Sequence, residues 1–498
     1  MGWLDNVVAV FAPQIAARRA AWRSAYDEIR NYDAGAGSRM NANWRVVNDS
    51  AEMTDRAYRD HVRARARDLE RNSDVMNSIL GAYARNVIGS GFRLQAKTSD
   101  ADLNEKLERL WERWCKARNC DVTGTQSLND ILRMAVVRKK IDGGILFVKK
   151  YTQDGMLPFS LQMIEVDELD TTQIKTHAKG NRVIGGIEYN RYNRPQGYWV
   201  RQYDIDGYTI TDPVYIKADD VMFYFDKHRP SQIREMSDMA PTVTRIRDTN
   251  EFIAAVSVKQ RVMACLSVFI KKQLPPTGLG RTGHEVIDGK YSYNGKTLTP
   301  GMIRELNAGD DVEVVNPTGQ SADATSFTKL QLRLAGAGQG LSYEATSRDM
   351  SETNYSSARQ GMIEDEMTYQ AEKEKILDIL NEIYETFVIS CWLTGLIEAK
   401  DFWENKAEYF AHDWAQAPKK WIDPLKEANA MRIALNYGLK SFKQVCAENG
   451  VDWRTQMDDI AEIEEYAGEK GIENFDEIIF GKSLQKGGEG DEAKNAEA

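Results

Sequence analysis

Apolar positions recur at three- and four-residue spacing through most of the chain, and at two-residue spacing through one central stretch. From 54 to 87, Leu69, Val75, Ile79, Leu80, Ala82 and Val87 predict one long helix. Thr54 is placed to cap it, and Gly89 and Gly91 to stop it. FRLQA then reads as a short strand. Residues 101–119 form a second helix, with Leu103, Leu107, Leu110, Trp111 and Trp114 on one face, and Leu128 to Lys140 a third. After Gly143 and Gly144 the period changes: ILFVKKY, LPFSLQMIEVDEL, VIGGIEYN, GYWVRQY and VMFYF read as strands. Residues 88–226 therefore read as α+β, helices against an antiparallel sheet.

A polar loop, HRPSQIREMS at 228–237, precedes a helix expected from Pro241 to Ile270. Its inner part, EFIAAVSVKQRVMACLSVFI, is apolar on more than one face and demands neighbours on several sides. Phe252, Val256, Val262, Leu266 and Phe269 are its candidate packing residues. Residues 271–326 break the pattern with Pro275, Pro276 and repeated glycines, and are too polar for a core of their own. Helix resumes over 328–345, weakened by Gly336, Gly338 and Gly340. A polar loop at 346–354 follows, then a helix from Tyr355 to Leu393. That length is unusual in a compact domain. Without a sustained heptad it reads as a bent helix that lines or braces something. HDWAQAPKKWIDP, ending at Pro424, reads as an aromatic turn. Helices are expected from Pro424 to Gly438, Phe442 to Asn449 and Met457 to Tyr466, before a disordered tail. Residues 11–50 read as a mostly polar arm.

The chain has 498 residues and a net charge of -10. From Asp452 onward there are 14 acids against 5 basic residues, so the remainder is close to neutral. A near-neutral body lacks the many cations of a tight, non-specific nucleic-acid grip, but suits a passage through which DNA slides. Arg63, Arg67 and Arg71 form a stripe expected to be a solvated face paired with Asp60, Asp68 and Glu70. The 5 cysteines are too few for a disulfide scaffold and suit a reducing compartment. No secretory signal, myristoylation motif or apolar run of membrane-spanning length is read in the sequence.

Catalytic groupings do not emerge. No Walker motif occurs, and Gly336, Gly338 and Gly340 do not fit a dinucleotide fingerprint. The 5 histidines are scattered, and Cys115 and Cys120 have no second pair, so neither metal nor cofactor is expected. Ser356 and Ser357 lack a base and fit the first turn of the long helix, with Asn354 as its cap.

Six stretches carry a resemblance in order: residues 65–96, GGIEYNRYNRPQGYWV, HRPSQIREMS, PGMIRELNAGDDVEVVNP, NYSSAR and KKWIDPLKEANA. Together they make the chain similar to lambda-type portal proteins of tailed bacteriophages. The resemblance implies an α+β portal fold with wing, helical stem, clip and crown, assembled as a ring of normally about twelve copies. Such a ring sits at one capsid vertex in the virion, after assembly in the host cytoplasm, and double-stranded DNA passes through its channel. Implied partners are the large terminase, which supplies ATP hydrolysis, the major capsid and scaffold proteins, and a head-completion or adaptor protein. The implied division is arm and wing over 1–237, first stem helix 238–270, clip 271–326 and second stem helix 327–345. A channel loop at 346–354, a long kinked helix with wing completion at 355–425, crown helices at 426–480 and an acidic tail at 481–498 follow. The loop would present Arg348, Asp349, Glu352 and Asn354 to DNA, a mixed set giving weak phosphate contact. The competing expectation is a non-catalytic capsid or tail-ring subunit without a channel, which would lack a helix pair around a glycine-rich insert.

Overall fold

A computed structural model describes residues 46–204, 206–208, 210–265, 321–416, 424–451 and 453–472, with the short stretches 13–15, 17–18, 269–271 and 304–306. Most of the expected arm and clip, Leu266, and the tail at 481–498 lie outside the described residues, as do the side chains of Val262 and Phe269. The chain divides into two compact units: Met1–Tyr58 with Arg229–Ile233, and Arg59–His228 with Arg234–Ala498.

In the first unit, α1 (Ala51–Asp55) is capped by Ser50, whose Oγ accepts from the Met53 amide. Thr54, expected to be a cap, is inside the helix, and its hydroxyl donates to the Ala51 carbonyl at 2.8 Å. Arg229 donates to the Asp49 carbonyl at 2.8 Å.

The second unit opens with α2 (Arg59–Asn72) and α3 (Asp74–Tyr83), so the single helix expected over 54–87 is broken. Ser73 leaves helical geometry at φ -128 and caps α3 with its own side chain. A local side-chain-to-backbone bond there outcompetes helix continuation. One π-helical turn, Ala84–Ile88, ends at Gly89 with φ 56. The arginine stripe is the expected solvated face only at Arg71, which is exposed and pairs with Asp68 at 4.0 Å. Arg63 is buried against Asp167 and against Glu235 at 2.9 Å, and Arg67 pairs with Asp142 at 2.6 Å and Asp167 at 2.6 Å. Arg63 keeps the near partner Asp60 at 3.5 Å, but its closer acids and those of Arg67 come from distant segments that helical spacing did not point to.

Next come β1 (Phe92–Ala96), α4 (Ala101–Trp114), α5 (Ala117–Cys120) and α6 (Leu128–Asp142). The Ser127–Asp130 capping box starts α6 and Gly143, at φ 89, stops it. β2 (Gly144–Lys150) and β3 (Ser160–Glu165) follow, then β4 (Arg182–Ile184), β5 (Ile187–Tyr189), β6 (Pro195–Val200), β7 (Val214–Lys217) and β8 (Val221–Phe225). They form two sheets, ordered β3-β2-β8 and β4-β5-β6-β7, antiparallel as the alternating pattern predicted, where one sheet was expected and β7 was not read as a strand.

The next helix, α7, spans Val243–Cys265, shorter than the expected run to Ile270. Phe269 is instead in β9 (Phe269–Lys271), which pairs in parallel with β10 (Arg304–Leu306). The β-branched and aromatic content of VFI favours extended pairing over further helix. α8 spans Ser321–Ala337, beginning inside the segment assigned to the clip and ending before Gly338. Residues up to 345 are not continuous helix: a turn at Gly338–Gly340 separates α8 from α9 (Tyr343–Ser347). α10 runs unbroken over Tyr355–Leu393, as periodicity predicted. α11 (Lys406–Tyr409) leads to β11 (His412–Gln416), a strand where a turn was expected. β11 pairs antiparallel with β1, so Leu94 opposes Trp414. α12 (Pro424–Asn436), α13 (Phe442–Glu448) and α14 (Trp453–Glu469) complete the described chain.

The core collects around the second half of α10. Ile376, Leu380, Ile383, Tyr384, Phe387, Val388 and Cys391 recur at three- and four-residue spacing and are buried. Trp111 meets Phe387 edge-on at 5.1 Å, and Trp114 stacks on Phe159 at 5.1 Å while its indole N–H donates to the Phe159 carbonyl at 2.9 Å. These rings anchor α10 to α4 and fix where its N-terminal half, and the loop before it, must emerge. None of the described helices is long and apolar enough to cross a membrane.

Candidate functional site

The loop between α9 and α10 is held from both ends. Asn354 accepts the Ser357 amide at 2.9 Å and so caps α10; Ser357 donates its hydroxyl back at 3.0 Å, and exposed Ser356 is in the same first turn. This is the predicted arrangement. At the other end, Ser342 caps α9 and also donates from its amide and hydroxyl to Asp365 of α10, at 2.6 and 2.7 Å. Ser347 belongs to α9, so the loop proper starts at Arg348.

The three glycines before it permit close approach. A Cβ on Gly336 would meet the Leu341 carbonyl at 2.8 Å and Thr346 Oγ1 at 2.5 Å. Gly340 has φ +68, and its carbonyl accepts from Thr368 at 2.8 Å. Their helix-weakening effect was readable in sequence; the tight reversal that requires them was not.

Within the loop, the two acids of the mixed set have partners inside and outside it. Glu352 pairs with Lys329 at 2.6 Å. Asp349 accepts from the Ser351 hydroxyl at 2.6 Å, the Ser351 amide at 3.0 Å and the Tyr343 hydroxyl at 3.2 Å. The Ser351 bonds foremost hold its carboxyl below the usual range. Arg348 is exposed.

The second unit also holds an ionic cluster that sequence reading missed. Lys139 is fully buried, with Nζ 2.6 Å from Asp226, 3.2 Å from Asp238 and 2.8 Å from Glu372. Lys140 reaches Asp238 at 3.0 Å and stands 4.1 Å from the centre of the Tyr83 ring. Lys375 binds Asp226 at 2.6 Å, and the Tyr224 hydroxyl donates to Glu372. Burial alone would lower the Lys139 pKa, but the three carboxylates outweigh it and raise it. Burial likewise works to raise Asp226, yet Lys139 and Lys375 bring it down to about 2. Two adjacent lysines closing an apolar helix were the available signal; their acids are in elements far along the chain.

Ligand atoms of Asp226, His228 and Asp238 lie within 4.8 Å of one another. Both aspartates already neutralise lysines, which disfavours a further cation there.

Phe252 of α7 meets Phe327 of α8 at 4.7 Å. Val256 is half-buried. Around this contact both helices leave apolar residues open: Ile253 is 44% exposed, Val258 49%, Phe327 41%, Leu330 52% and Leu334 43%.

Residues 37–373 match the family described as "Phage portal protein, lambda family". The match spans more than half of the chain, and the protein belongs to that family of portal proteins. The chain is 24% identical over 478 residues to the "Probable portal protein" of Halomonas phage phiHAP-1, covering 92% of this chain and 90% of that protein. It is 20% identical over 466 residues to "Portal protein B" of Escherichia phage lambda, covering 84% and 87% respectively. Among solved structures it is similar to a chain of the "Neck of empty GTA particle computed with C6 symmetry", at 12% identity and TM-score 0.40, covering 78% of this chain and 93% of that one.

Proposed function

We propose that this portal protein forms a ring of about twelve copies at one capsid vertex, around a channel for double-stranded DNA. It is a structural component, not an enzyme, and resides in the virion after assembly in the host cytoplasm. The large terminase docks on the segment between α7 and α8 during packaging and is replaced there by a head-completion or adaptor protein. The second unit's sheets and helices meet the major capsid and scaffold proteins, whose assembly the ring initiates. The loop from Arg348 to Asn354 faces the DNA.

The observation that supports this reading is the apolar surface left on α7 and α8. Phe252 touches Phe327, while Ile253, Val258, Leu330, Leu334 and part of Phe327 itself stay open in the single chain. Surface of this kind on two neighbouring helices is what a repeated copy covers when rings close. Native mass measurement with negative-stain imaging tests it. A closed ring with a central hole is expected; a stable, folded monomer at assembly concentrations overturns the reading.

A further inference from the structure

We propose that α12 of one copy packs on α14 of the next, a contact between subunits separate from the one at α7 and α8. This rests on the ring reading above and names a further surface that closes it.

α12 runs for 13 residues, and none of them is buried. Helical spacing gives it two sides. Met431, Ala434 and Leu435 are half-buried, and Asn449 donates to Met431 Sδ at 3.9 Å, so this side faces its own chain. Leu425 and Ile433 are exposed on the other side. Tyr437 extends that side by one turn: it is exposed, and its amide still donates to the Ile433 carbonyl at 3.0 Å. Lys426 and Arg432 share the exposed side, whereas Glu427, the acid of the helix, is half-buried with the inner one. A helix apolar on two sides demands a neighbour for each, and the single chain supplies one.

α14 carries the opposite charge. It has six acids against Arg454. Ala467 is buried, and Trp453, Gln456 and Ile460 are half-buried, which sets its inward side. Ile463 and Tyr466 are exposed beside that side, and Asp459 and Glu462 accompany them at three- and four-residue spacing. Among the described residues, Arg432, Asp459 and Glu462 form no ion pair. One apolar strip is thus rimmed by cations and the other by carboxylates, a complementary pair. Both stay open in the single chain, and one chain carries both halves on different helices. A contact of that kind is heterologous, and repeated from copy to copy it closes a ring. It also sets cations between the acidic α14 helices of successive copies, whose like charges would otherwise repel.

The test uses the full-length protein in two forms. In one the basic rim is reversed by Lys426→Glu with Arg432→Glu; in the other the acidic rim is reversed by Asp459→Lys with Glu462→Lys. Mass photometry over a dilution series gives the concentration at which half of the rings have dissociated, and circular dichroism confirms that the chains stay folded. Each form alone should dissociate at several-fold higher concentration than the unaltered protein. Co-expressed in equal amounts, the two should recover most of the loss, because each reversed rim then meets an opposite charge on its neighbour. A contact within one chain would gain nothing from mixing, so absence of recovery overturns the proposal, as does unchanged dissociation of either form. Loss confined to the reversed basic rim points to the acidic tail at 481–498 as the occupant, and the proposal falls then too. Ile433→Ser should weaken rings in the same direction, and no change there removes the apolar strip from the contact. Rings absent from the unaltered protein refute the ring reading, whereas rings equally stable in every form refute the α12–α14 contact alone.

Discussion

The side-chain amide of Gln339 donates to the backbone carbonyl of Asp238 at 3.0 Å, joining the end of α8 to the segment that starts α7. The same Nε2 reaches Thr242 Oγ1 at 3.2 Å, and the Gln339 carbonyl accepts from Tyr83 at 2.5 Å. The start of α7 and the end of α8, the two helix ends away from the segment between them, are thus joined at one buried amide.

Gln339→Leu should therefore loosen that junction. It leaves the Asp238 carbonyl and the buried Thr242 hydroxyl without this donor, at a cost of about 1–3 kcal/mol. The expected result is a lower urea midpoint. Exchange of backbone amides should rise first at the N-terminal end of α7. An unchanged midpoint would show that the junction is held by packing alone.

Lys139→Met removes the cation shared by Asp226, Asp238 and Glu372. Breaking a buried ion cluster from one side costs about 3–5 kcal/mol. Adding Glu372→Gln to Lys139→Met should recover part of the loss, since it deletes an acid left uncompensated. The pair of midpoints forms half of a mutant cycle. Absence of recovery would mean that the lysine acts through its alkyl packing.

Acid should act on the same cluster. Asp226 titrates at about 2 in the folded protein, below the ordinary aspartate value. A depressed carboxyl contributes stability that is fully present above its unfolded pKa and is lost as pH falls from there through the folded value. Stability should accordingly decline from about pH 4 toward pH 2. Asp226→Asn should flatten that decline while lowering stability at neutral pH. Parallel curves for the two proteins would remove Asp226 from the acid response.

Gly336→Ala tests the reversal between α8 and α9. A new Cβ meets the Leu341 carbonyl at 2.8 Å, a backbone atom that cannot rotate aside. Overpacking of this kind costs about 1–3 kcal/mol and outweighs the usual helical gain from alanine. A more stable variant in thermal unfolding would contradict the close approach.

Charge on the loop should govern movement of DNA. Asp349→Lys with Glu352→Lys adds cations beside Arg348 and breaks the Glu352 bond to Lys329. Stronger phosphate contact then slows packaging in a translocation assay, most at low salt. Packaging at an unaltered rate would separate the loop from the DNA path.

How much of this was legible beforehand follows the range of the forces involved. α10 was readable to the residue because Asn354 caps through its neighbour Ser357, and its apolar stripe repeats within a single helix. Most strands of residues 144–225, though not β7, were readable for the same reason, alternation being a local property. The break at Ser73 was missed because cap and helix compete there for the same backbone groups. The pairing of Glu352 was not read because Lys329 comes from an earlier helix.

By itself the sequence determined most of the helices and strands, the lack of a recognisable catalytic motif and the resemblance to portal proteins. Each of these depends on residues close together in the chain or on motifs kept in order. The tertiary structure alone decided that Lys139 meets Glu372 across 233 residues and that β1 pairs with a strand at His412–Gln416. Such meetings depend on how the whole core closes around Trp111, Trp114 and Phe387, and spacing along a chain carries no record of it.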